Sequence, residues 1–373
     1  MQHNMQINAT VEALSKLNSN GVELSMPELL RYKPLASMLN LTPSARAASQ
    51  MSGGERSLFK GRGMEFDEAR HYQAGDDIRS IDWRVTARTG KTHTKIFREE
   101  RERPVFIVLD LTTSMQFGTQ LLFKAVQGAH MAAFIAWASV SRGDKLGGIV
   151  FNESQDIEVK PRAQTKNALH FLNAIVNLQN TSLDGTFSDR SHGSSHGKSH
   201  SSSNNGSHSP SNEAAAAAKA AKPATTPEAH ADGANTAFLN ALQRLHYIAK
   251  PGSLIHIISD CAKLKQEHFT LLGDISRHCE MKVSIVHDPF EQELPQSTST
   301  QTLSITDGTE RASIVLGDNA QSLHYQQQQA RHFHSLKTSF AKMRVNPRLV
   351  SAARVLDEQL SAYKRGFEIG SAL

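Results

Sequence analysis

The sequence is short of most features that mark a secreted, membrane-spanning or catalytic chain. Cysteine occurs twice in 373 residues, as Cys261 and Cys279. Two thiols without a C-x-x-C spacing exclude a disulfide framework and match the reduced thiols of a cytosolic protein. The longest apolar run, Met131 to Val140, is about half of the ~18–20 residues needed to cross a bilayer. The N-terminus lacks a basic stretch followed by an apolar one, so no secretory signal is expected. These absences predict a cytoplasmic protein with no membrane partner. Aromatic residues make up only 6% and do not interleave with basic ones, which argues against a base-stacking platform. The net charge of +5 is spread along the chain. Nucleic-acid binding is therefore permitted but ranks third among the functions considered. No nucleophile elbow follows a buried strand, and no G-x-x-x-x-G-K-[ST] phosphate loop is present, so no catalytic residues are assigned.

What is there is a strand–helix alternation. PVFIVLD, Pro104 to Asp110, is an apolar run of the kind expected of a parallel strand covered on both faces. Helices are predicted over 121–139, 165–178, 236–247 and 266–277, and strands over 144–151, 157–159, 253–259 and 281–286. This order implies βαβ units, an α/β fold with a mainly parallel sheet and helices on both faces. Before it, residues 1–51 read as a helical N-terminal segment and 52–103 as a small β-rich unit dense in Gly and charge. The α/β domain is expected to cover 104–187 and 233–350. It is interrupted at 188–232 by a Ser/His/Ala-rich stretch too poor in apolar residues to order itself, read as a disordered surface insertion. Within the α/β domain a hairpin is expected over 302–316. A C-terminal helix is assigned to 351–373.

The chemistry concentrates where the first buried strand ends. Asp110, Thr112 and Ser114 offer one carboxylate and two hydroxyls at the carboxyl edge of a parallel sheet, where α/β proteins bind ligands. Asp260 ends a second apolar strand, and Thr236 is placed at a helix start. All are hard oxygen donors of the kind Mg²⁺ takes. The plainer reading of Asp110, Thr112 and Ser114 is a polar strand end that caps the next helix. The D-x-T-x-S spacing, a separate Thr and a strand-terminal Asp resemble the metal-ion-dependent adhesion site of von Willebrand factor A domains. Thr112 stands where that family's pattern has Ser. The resemblance implies that Asp110, Thr112, Ser114, Thr236 and Asp260 surround Mg²⁺ or another divalent cation. It also implies that a partner's Asp or Glu completes the coordination, so that occupancy can depend on the partner.

A longer pattern lies upstream: Gly63-x-Glu65-Phe66, Arg70-x-Tyr72, Gly75-Asp76-Asp77-x-Arg79-x-Ile81-Asp82-Trp83, Ala87-Arg88 and Glu100. Together with LDLTTSM it resembles the bacterial DUF58 family, closely from Gly53 to Met115 and more loosely to Val286. That resemblance implies a non-enzymatic, chaperone-like module acting with a MoxR-type AAA+ ATPase on a client protein complex. Arg70, Tyr72, Gly75, Asp76, Arg79, Asp82, Trp83 and Arg88 are either a partner-docking face or, as favoured on charge pairing, an internal salt-bridge and hydrogen-bond network that holds the β-rich unit against the α/β domain. Trp83 is then expected as a packing anchor. His192, His196, His200 and His208 fit a solvated linker better than a metal tract. The competing activity is a metal-dependent phosphatase or hydrolase using Asp110 as nucleophile. Position 112 is Thr where that chemistry usually has a second acid, which weighs against it.

Overall fold

The computed structural model describes residues 2–38, 64–99, 103–191, 227–295, 301–306 and 311–364. It begins with helices α1 (Gln2–Leu17) and α2 (Met26–Leu30). These are not a separate unit. Leu17, Leu29 and Tyr32 are buried in the same core cluster as the first strand of the main sheet. Glu28 is fully buried, and its carboxylate lies 2.6 Å from His130 Nε2 on a core helix.

The signature unit is a two-stranded antiparallel ribbon, β1 (Met64–His71) against β2 (His93–Glu99). Between the strands sits helix α3 (Trp83–Thr89). Asp82 caps α3 by accepting from Arg84 N and Val85 N, satisfying donors that the first turn leaves free. Gly90, in the left-handed region at φ 72°, ends it.

The α/β domain follows. Its elements are β3 (Pro104–Asp110), α4 (Lys124–Ser141), β4 (Lys145–Phe151), β5 (Asp156–Arg162), α5 (Thr165–Ser191), α6 (Pro227–Ile248), β6 (Leu254–Ser259), α7 (Gln266–Ser276), β7 (Glu280–His287), α8 (Pro289–Gln292), the hairpin β8 (Gln301–Thr306) and β9 (Arg311–Leu316), α9 (Asn319–Lys342), β10 (Arg348–Ser351) and α10 (Leu356–Lys364). Six strands form one sheet in the order β10-β7-β6-β3-β4-β5. Every neighbouring pair is parallel except β4–β5. The fold is therefore mixed α/β with a mainly parallel sheet, as the alternation predicts.

Strand β3 shows why its sequence is apolar throughout. Val105, Ile107 and Leu109 face one core, and Phe106 and Val108 face the other. The first core is closed by α4, α5 and the N-terminal segment, the second by α6, α7 and α9. Helix α4 is buried from Lys124 through Ser139, which explains its apolar composition all round.

Several boundaries differ from the sequence-based ones. The helix expected to end near 178 runs on to Ser191, and α6 starts at Pro227, nine residues before Thr236. Both helices enter the stretch assigned to the insertion. Its residues 192–226, with the four tract histidines, lie outside the described residues. Strand β10 was not anticipated: RLVS is four residues long, with Arg348 first, too short to show a period. It completes the sheet by pairing with β7. Among the described residues no helix is long and apolar enough to cross a membrane.

Candidate metal centre

Strands β3 and β6 are parallel neighbours, so Asp110 and Ser259–Asp260 emerge side by side at one carboxyl edge. Asp110 Oδ1 accepts from Thr112 N at 2.9 Å and from Thr112 Oγ1 at 2.7 Å. Its Oδ2 accepts from Ser259 Oγ at 2.7 Å. Ser114 Oγ lies 3.3 Å from Thr112 Oγ1. Asp260 Oδ1 accepts from Ala262 N at 3.0 Å. The chain leaves the site through Cys261, whose backbone takes a left-handed conformation at φ 56°, an uncommon one for a non-glycine residue. That turn directs Cys261 N onto Ser259 Oγ at 3.0 Å.

Asp110, Thr112, Ser114, Ser259 and Asp260 line one small cleft, together with Ala234, Asn235 and Phe238 of α6. Four of the five expected donors, Asp110, Thr112, Ser114 and Asp260, thus meet. Thr236 does not join them. It is exposed and outside the cleft lining, and the positions of α6 that face the cleft are Ala234, Asn235 and Phe238. The reason is helical phase. With α6 already under way at Pro227, residues 234 and 238 share a face, and 236 is turned roughly 200° from 234.

A cation that the sequence reading missed closes the other side. Lys124, the first residue of α4, is only 1% exposed. Its Nζ donates to Asp260 Oδ2 at 2.8 Å and to Glu291 Oε1 of α8 at 2.5 Å. Phe117 and Phe290 pack against each other nearby, and Lys124 Nζ lies 6.0 Å from the Phe117 ring centre. A positive charge at a helix N-terminus opposes the helix dipole. A lysine opening a mostly apolar helix is the one hint in the sequence that a charged partner lies opposite.

The charges titrate accordingly. Burial, then the neighbouring charge of Asp260, pushes the Asp110 carboxyl up to about 6. Burial also opposes ionisation of Asp260, but Lys124, the hydrogen bond from Ala262 and the nearby Ser114 hydroxyl outweigh it and hold that carboxyl below its ordinary value. Burial pushes the Cys261 thiol well up, so it stays protonated and offers no thiolate.

The donor set suits a hard cation: carboxylates and hydroxyls predominate, with Asn235 and Cys261 also on the lining and no imidazole there. Oxygens at right angles on an ion about 2.1 Å away are about 3 Å apart. The Thr112 and Ser114 hydroxyls, at 3.3 Å, stand near that spacing. Among the described residues no three His, Cys, Asp or Glu side chains form a ligand cluster. Affinity would therefore rest on two carboxylates, hydroxyls and water.

Some of the signature residues contact one another within the ribbon. Arg70 pairs with Asp76 at 2.7 Å beside Gly75, which is left-handed at φ 107°. Tyr72 N bonds Thr92 O across the ribbon, and Asp77 Oδ1 accepts from Arg79 N. Asp82 caps α3 and lies 3.9 Å from Lys95, while Arg79 and Arg88 are exposed. Trp83 corrects the expectation of a packing anchor: it is 67% exposed. At the first position of α3 its indole points out of a ribbon too small to enclose it.

A family model described as a protein of unknown function, DUF58, matches residues 68–335, which span both the ribbon and the cleft. The chain belongs to the DUF58 family. Uncharacterized proteins of Mycobacterium tuberculosis (Rv1480) and Mycobacterium bovis (Mb1516) are each 31% identical to this DUF58 protein over 140 residues. That match covers 38% of this chain and 44% of each relative's length. Two solved structures align loosely. The conserved hypothetical protein BatB from Bacteroides thetaiotaomicron covers 65% of this chain and 98% of its own, at 13% identity and a TM-score of 0.31. An aerotolerance-related membrane protein from Bacteroides fragilis covers 70% and 97%, at 13% identity and a TM-score of 0.32. Superpositions this loose carry no argument about function.

Proposed function

We propose that this DUF58 protein is a docking module of the von Willebrand factor A type. In this reading Asp110, Thr112 and Ser114 hold Mg²⁺ or a similar divalent cation, with Asp260 acting across the cleft. One observation carries the proposal: oxygen donors from the ends of two adjacent parallel strands converge on a single open cleft. The cation would supply a Lewis-acidic point to which a partner's Asp or Glu binds.

This chain's residues then have defined tasks. Ser259 and Thr112 hold the Asp110 carboxylate in one orientation. Asn235 stands at the cleft where Thr236 was expected, and its amide oxygen is a neutral donor. The family resemblance adds the partner class: a MoxR-type AAA+ ATPase, with a client complex whose assembly the pair assists.

Phosphatase chemistry is the weaker reading. Asp110 is 4% exposed, and both its oxygens already accept hydrogen bonds from Thr112 and Ser259, a poor state for an attacking nucleophile.

The test is binding of the full chain to a purified MoxR-type ATPase from the same genome, in Mg²⁺ and in EDTA. The expected result is a complex that forms in Mg²⁺ and disappears in EDTA or with Asp110→Ala. Equal affinity in both buffers contradicts the reading.

A further inference from the structure

The ion pairs around Asp260 hold a charge relation that goes beyond the metal reading while resting on it. Asp260, Lys124 and Glu291 are linked through short contacts, Asp110 lines the same cleft as Asp260, and three of the four side chains are almost fully buried. Fully ionised, they carry three negative charges and one positive. Lys263, on the cleft rim, is exposed and therefore screened by water. Lys124 is not screened. It is 1% exposed, and its ammonium is bound directly to the carboxylate that would face the cation.

We infer that Lys124 is a tethered counter-ion that competes with a divalent cation for Asp260 and thereby sets the affinity of the cleft. Two cations bearing on one buried carboxylate repel each other, and that repulsion is strong where the effective dielectric is low. Glu291 moderates the competition. It takes one of the three ammonium protons at 2.5 Å and shares the positive charge. Glu291 is anchored in turn: its Oε2 accepts from Asp288 N at 3.1 Å. Asp288 accepts from both the backbone N and the hydroxyl of Thr119, in the loop that also carries Thr112, one of Asp110's two hydroxyl partners. The counter-ion is thus held by two loops packed on each other, and it cannot leave its place as a solvated surface lysine would.

The experiment measures Mn²⁺ binding by electron paramagnetic resonance at pH 7.5, using the metal alone and the full chain. It compares wild type, Lys124→Met, Lys124→Gln and Lys124→Arg. Gln is polar and uncharged where Met is apolar, so a shared effect of the two separates charge from packing. The expected result is binding at least about tenfold tighter for Met and Gln than for wild type, with Arg no tighter than wild type. Mn²⁺ should also raise the melting temperature of Met and Gln more than that of wild type, because the metal replaces the missing charge.

Tight binding by the neutral variants with none by wild type supports the counter-ion role and contradicts metal-dependent docking by the natural chain. Wild-type binding that the neutral variants only match or weaken overturns the counter-ion role and leaves docking intact. No binding by any chain overturns both. Neutral variants that stay unfolded even in Mn²⁺ also overturn the counter-ion role.

Discussion

Ser259 Oγ donates to Asp110 Oδ2 across 2.7 Å, so the ends of β6 and β3 are joined beneath the cleft by one buried hydrogen bond. The same oxygen accepts from Cys261 N, which ties the left-handed turn to the site. Ser259→Ala removes an acceptor and a donor at once from a fully enclosed position. The expected cost is about 1–3 kcal/mol, read as a lower urea midpoint at unchanged slope. Mn²⁺ affinity should fall with it, because Asp110 loses a partner that holds its ionised form. A variant as stable as wild type contradicts the bond's role.

Asp110 also makes stability depend on pH. Its carboxyl is pushed up to about 6, above its unfolded value. The fold therefore favours the protonated form. The stabilisation is fully present below about pH 4 and is lost as pH rises through about 6. His287, pushed down to about 4 by burial, acts in the opposite direction over the same window, so the raw profile mixes the two. The difference between wild type and Asp110→Asn removes the His287 contribution and reports the Asp110 carboxyl together with its coupling to Asp260. In EDTA that difference should move against wild type by roughly 2–3 kcal/mol between pH 4 and pH 7. A flat difference contradicts the burial argument.

The helix facing the cleft gives a pair of opposite outcomes. Asn235→Ala should weaken Mn²⁺ binding, and Thr236→Ala should leave both binding and stability within about 0.5 kcal/mol of wild type, as exposed positions do. Calorimetric titration of both variants checks this. Loss of binding in Thr236→Ala alone would restore the sequence-based assignment.

Far from the cleft, Glu28 and His130 test the attachment of the N-terminal segment. Their contact is 2.6 Å, with both side chains essentially inaccessible to water. Glu28→Ala leaves His130 without that partner and removes the acceptor of Ser25 N. Destabilisation of about 3 kcal/mol or more is expected in urea, together with faster amide exchange over α1 and α2. Unchanged exchange there contradicts a shared core.

The parts of this fold legible in the sequence were those fixed by local pattern. PVFIVLD is apolar at every position because both of its faces are covered, and a D-x-T-x-S run after such a strand must emerge at the carboxyl edge. Lys124 and Glu291 were not legible as a pair because 167 residues of chain separate them and only the packing of α8 brings them together. Thr236 failed for a smaller reason. The Ala- and Gly-containing stretch before it gave no start signal, and each residue of error in helix phase turns a side chain by about 100°. An indole is expected to pack inward, but a two-stranded ribbon with one short helix has too little interior to hold Trp83.

The most direct measurement is isothermal titration of the metal-free full chain with Mn²⁺ at pH 7.5, beside Asp110→Ala. Saturable binding at one ion per chain, abolished by the substitution, is the predicted result. No heat of binding, or identical binding by the two chains, would contradict the assignment of a cation to the cleft between Asp110 and Asp260.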